Sequence, residues 1–194
     1  MQHIVFVALA PIAAAVVLLI AAVAWHRRDT PPAVALLWLV LVTLGWLVAN
    51  TLELVSTSPT ATLRWARVTY AFIAAEPLAW LIFSLQYVGR REWLRPSQLV
   101  PLAVVPAVTA LIALSGIGDE LLWADYRFVP AAGFLHRQTV SYGPWFWVHT
   151  FHAYACVLLG AGLIVAHYLR ASQLYRRQVS WVVLGALSVV GTNA

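Results

Sequence analysis

Apolar residues in this chain neither alternate with polar ones nor keep to one helical face. They come in six long, predominantly apolar runs, at residues 4–25, 33–55, 63–88, 98–115, 144–169 and 178–194. A helix of about 20 apolar residues spans a bilayer core, whereas barrel strands show alternating segments of about 10. The pattern therefore predicts an all-α polytopic membrane helix bundle. Most connections are short and polar. The exception is 116–143, where two aromatic or β-branched stretches, 125–129 and 134–141, flank the Pro130-Ala-Ala-Gly133 turn. That arrangement predicts a small extracellular β-hairpin. An isolated hairpin is marginal in water, so it is expected to rest on the helix ends as a lid.

The first run is a span rather than a signal peptide. Only Gln2 and His3 stand between the initiator Met and the run, and it ends in Trp25-His26-Arg27-Arg28. A signal peptide has a basic start, a core of about 7–15 residues and a small-residue cleavage site.

Composition agrees with a membrane protein. The chain is 62% hydrophobic and 10% charged, with mean hydropathy +0.83, where soluble domains have about 45–50% and about 25%. A soluble globular domain and a disordered chain are both excluded. The net charge is +5 and the pI about 9.9. All twelve basic residues are Arg. Ten of them lie between the apolar runs rather than on one solvated face, which argues against nucleic acid as a partner. Eight of them, Arg27, Arg28, Arg90, Arg91, Arg95, Arg170, Arg176 and Arg177, fall in three loops on one side. Short cytoplasmic loops are rich in Arg and Lys. The chain is thus expected in the cell membrane, multi-pass, with its N-terminus and hairpin outside. Six spans return the C-terminus outside, and the last run is still apolar at Ala194. The expectation is one membrane-sensor domain, 1–194, truncated within its sixth helix, six of an expected seven.

Ionisable groups inside spans are costly and are functional candidates. Glu53 ends the second run, and Arg64 and Arg67 begin the third. They are expected to form a structural ion pair between helices; the other reading is a polar mouth for a ligand. Glu76 lies near mid-span and precedes Pro77. It is either a neutral carboxyl hydrogen-bonded to a neighbouring helix or a site for a proton, cation or polar ligand. Pro77 removes one backbone hydrogen bond and is a candidate hinge. His149 and His152 are three apart and share a helical face. They read as packed, hydrogen-bonded histidines or as a ligand- or pH-sensing pair. A metal needs a third ligand and a haem needs a histidine on another helix at that depth. The other four histidines sit at span edges, so no metal and no cofactor is expected. The lone Cys156 allows no intramolecular disulfide. No phosphate loop, metal-binding helix motif or nucleophile elbow is present, and without Lys there is no retinal Schiff base in this segment.

Several ordered motifs carry a family resemblance. They are Trp46 with Leu52-Glu53-Leu54, then Trp65-Ala-Arg-Val-Thr-Tyr70, Glu76-Pro-Leu-Ala-Trp80 and Phe83-Ser-Leu-Gln-Tyr-Val-Gly89. Pro106, Leu121-Leu-Trp123 and Ser141-Tyr-Gly-Pro-Trp145 follow. Over roughly residues 10–194 the chain resembles the N-terminal seven-helix sensor region of prokaryotic histidine kinases, which is also found before diguanylate cyclase domains. The resemblance implies a signal-sensing input region of a two-component receptor. It implies an outside N-terminus and a cytoplasmic output domain. No catalytic residue is carried over, and this chain is expected not to be an enzyme itself. The implied partners are the lipid bilayer, an unidentified small ligand and a second copy through the kinase part. The rival reading is a transporter or small-molecule permease fragment. That class needs a discontinuous midplane helix and usually repeated halves, and the chain shows one proline-bearing mid-span and no repeat. A purely structural membrane subunit is the third class.

Overall fold

The computed structural model describes residues 2–131 and 133–170; the sixth apolar run lies outside them. The elements in order are α1 (Gln2–His26), α2 (Pro31–Leu54), α3 (Pro59–Tyr87), a 3-10 turn (Arg91–Leu94) and α4 (Pro96–Ser115). Then come the one-turn α5 (Asp119–Leu122), strands β1 (Asp125–Ala131) and β2 (Phe134–Ser141), and α6 (Pro144–Arg170). Helices α2, α3, α4 and α6 each begin on proline, whose fixed φ suits a first turn and whose missing N–H is not needed there. Ser58 caps α3 by accepting a hydrogen bond from the Ala61 amide. Gly116 ends α4 in the left-handed conformation, φ +69°, which glycine adopts without a Cβ penalty.

Five helices, α1, α2, α3, α4 and α6, are long and apolar enough to cross a membrane. The fold is the expected all-α polytopic bundle, with one two-stranded sheet. Helix α3 is its least apolar span, with mean hydropathy 1.6, yet 44% of that span is buried against 11–22% in the others. It is the central helix. It packs on α2, α4 and α6, while α1 packs on α2. Small residues let backbones approach at such interfaces. A Cβ on Gly160 of α6 would lie 2.5 Å from Trp80 Nε1 and 2.8 Å from Ser84 Oγ of α3. On α2, the Phe72 ring of α3 fills the space beside Gly45.

The strands pair antiparallel from Asp125 opposite Ser141 to Ala131 opposite Phe134, with an irregularity between Asp125 and Tyr126. This is the hairpin read from the sequence. One backbone bond ties it to the end of α2, where Leu135 N donates to the Ser56 carbonyl at 2.8 Å, and a second closes its base, where Gly143 N donates to the Leu122 carbonyl at 3.0 Å.

Candidate functional site under the hairpin

Side chains alternate across a strand, and in β2 the half-buried positions after Phe134 are Leu135, Arg137 and Thr139. The period that turns Leu135 inward also turns Arg137 inward, where its side chain is 10% exposed. A guanidinium placed there must find an anion or lose its hydration without return. It finds Glu53 of α2, with Nε 3.7 Å from Oε1. Its flat face lies over Trp123, 4.5 Å from the ring centroid, and Tyr126 at 5.9 Å. Burial pulls the Arg137 pKa below its usual range, and Glu53 is the foremost charge opposing that shift. Aromatic contacts extend the cluster inward. Tyr70 of α3 meets Trp123 edge-on at 5.2 Å and His149 of α6 at 5.8 Å. His149 is 3% exposed, and its Nδ1 has no hydrogen-bond partner. The hairpin, α2, α3 and α6 thus converge on one buried, mixed aromatic and ionic chamber.

This geometry corrects the pairing expected for Glu53. Neither Arg64 nor Arg67 reaches it. Arg67 instead pairs with Asp119 of α5, its guanidinium lying where a Cβ on Gly116 would be. Arg64 is exposed and lines an open groove of about 490 Å³ with Arg67, Leu114 and Phe128. The reason is the fold-back of the long loop, which carries both a nearer cation for Glu53 and a nearer anion for Arg67. Arg137 and Asp119 were not singled out from the sequence. The alternation of β2 puts Arg137 on the face of Leu135.

The other candidates occupy separate places. Glu76 is in mid-bundle, where the Thr43 hydroxyl of α2 lies 3.0 Å from both its Oε1 and the Leu39 carbonyl. Helix α3 continues without interruption through Pro77. His149 and His152 do lie on one helix, but they serve different neighbours. His149 faces Tyr70, whereas His152 lies beside the backbone of Leu102 in α4. That placement fits the sequence. Pro106 has no N–H to give the carbonyl four residues earlier, which is that of Leu102, and His152 lies against the backbone so exposed. Cys156 is buried, 3.7 Å from His152 Nε2. Trp145 Nε1 donates to Thr109 Oγ1 at 2.9 Å and Trp80 Nε1 to the Val157 carbonyl at 3.2 Å. Among the described residues, no three His, Cys, Asp or Glu side chains cluster to hold a metal.

Within the chamber the ion pair ties β2 to α2. Opening the hairpin rehydrates Glu53 and Arg137 together, so the closed pair adds little net stability. Losing one partner alone leaves a buried charge, which is strongly unfavourable. Comparison with known proteins agrees with a receptor fold of this kind. The family model described as the N-terminal 7TM region of histidine kinase matches residues 9–194. Curated proteins and solved structures give no significant match. With its five described spans, central α3 and two-stranded hairpin, the chain belongs to the family of N-terminal 7TM regions of histidine kinases, a membrane sensor input domain.

Proposed function

We propose that the chain receives a signal in the hairpin half of the bundle and passes it, as a shift of α3 and α6, to an output domain on the cytoplasmic side. The hairpin faces outside, as the Arg-rich loops at the opposite end support. The observation that carries the reading is the Glu53/Arg137 ion pair, which ties an extramembrane hairpin to the bundle interior. A ligand or membrane change that loosens the hairpin exposes both charges at once and frees Tyr70 and His149 beneath them. Glu53, Glu76, His149 and His152 are the sensing residues in this reading, and Pro77 supplies compliance in the helix that touches the most partners. The stimulus is an unidentified small ligand or a membrane state. The receptor works as a homodimer joined through its kinase part, and this region itself catalyses nothing.

The test uses the intact receptor in membrane vesicles, with autophosphorylation as the readout. Arg137→Gln is expected to change the basal level, while Arg127→Gln on the exposed strand position is not. Glu76→Gln and His149→Asn are expected to alter the range of response. A correctly inserted Arg137→Gln receptor with wild-type phosphorylation would overturn the assignment.

A further inference from the structure

We infer that the groove between α3, α4 and the hairpin binds the headgroup of an anionic phospholipid, whose acyl chain lies in the crevice between α2 and α3. The headgroup end is set by charge. Arg64 and Arg67 line the groove together. Asp119 answers Arg67, whereas Arg64 has no ion-pair partner among the described residues. The Arg67 Nε is buried and has no hydrogen-bond partner either. The groove therefore holds one uncompensated positive charge and one unused N–H donor. Its remaining wall, including Leu114 and Phe128, is largely apolar, which disfavours a fully hydrated free anion.

The acyl end is set by continuity. Val68 lines this groove and also a second crevice of about 370 Å³ bounded by Leu44, Val48 and Phe72. Arg64 precedes Val68 by four residues, so it stands one turn above it on the same face of α3. The crevice then descends between two apolar spans, away from the hairpin. A charged mouth at the helix ends, opening into an apolar slot along the spans, matches an amphiphile drawn from the bilayer. Val48 is 48% exposed, so the slot is open to lipid along its side.

The experiment is native mass spectrometry of the full chain, released from bilayer discs containing equal amounts of phosphatidylglycerol and phosphatidylcholine. The wild-type protein is expected to retain the anionic lipid about fivefold in preference, one basic residue's worth of attraction. Arg64→Gln abolishes the preference, and Arg91→Gln at the opposite end keeps it. Val48→Trp, which fills the slot from an exposed position, lowers retention of both lipids. Equal retention of both lipids by the wild-type protein overturns the inference, as does a preference that survives Arg64→Gln or is lost equally in Arg91→Gln. Complete displacement of the lipid by inorganic phosphate also overturns it, since the site is then a plain anion site. Binding is read here without any kinase output, so it stands or falls separately from the sensor reading above.

Discussion

Removing one partner of the Glu53/Arg137 pair should cost more than removing both. At 3.7 Å, two unit charges attract by about 4.5 kcal/mol at an effective dielectric of about 20. Taking each from water costs several kcal/mol, so the intact pair is close to neutral in net stability. Glu53→Gln leaves a guanidinium that is 10% exposed without its anion, and about 3–5 kcal/mol is the expected loss. Arg137→Gln strands the carboxylate and also removes the stacking on Trp123, a further loss of about 0.5–2 kcal/mol. The double variant Glu53→Leu with Arg137→Met replaces the charges by apolar groups and should fall within about 1 kcal/mol of wild type. Equilibrium unfolding in mixed micelles at increasing SDS measures all three. Hydrogen exchange at the Leu135 amide reports whether the hairpin detaches first. If the double variant costs the sum of the two singles, the buried-pair argument fails.

Three further outcomes follow from individual contacts. Gly160→Ala places a Cβ against Trp80 and Ser84 and should cost about 1–3 kcal/mol by overpacking, read by the same SDS titration. Thr43→Val removes the partner of Glu76 and should cost about 0.6 kcal/mol, with about 1.7 as the ceiling for hydrogen bonds between membrane helices; a larger loss would mark Glu76 as ionised in the resting state. In a Cys156→Ala background, Gln138→Cys on the exposed side of β2 should react with a membrane-impermeant maleimide added outside intact cells, and Arg91→Cys should not; the reverse pattern would invert the orientation.

The spans were legible because a bilayer imposes a length of apolar sequence that chance composition does not supply. Their observed starts fall at prolines 31, 59, 96 and 144, since polar connections and first-turn prolines mark the same boundary. The hairpin was legible from its Pro/Gly turn and flanking strand-forming residues. What the sequence hid was partner choice. Glu53 is nearest in sequence to Arg64 and Arg67, and proximity along the chain suggested that pairing. The fold-back of residues 116–143 brings Arg137 and Asp119 closer in space, and no local pattern encodes that return. Alternation in β2 puts Arg137 on the face of Leu135, but with Phe134 and Val140 on the other face it does not say which side turns inward. The role of His152 was legible in principle, because Pro106 must leave the Leu102 carbonyl without its usual donor. Glycines 45 and 160 gave no such signal, since their use depends on which aromatic ring the neighbouring helix presents.

The helix defect at Pro106 has a mechanical consequence. An unbroken helix offers a neighbour only side chains to grip, so two such helices can slide or roll against each other with little penalty. Helix α4 offers backbone at Leu102 and a hydroxyl at Thr109, and α6 engages them through His152 and Trp145. These two clamps lie seven residues apart on each helix, about two turns, and together they fix both the axial position and the rotation of α4 on α6.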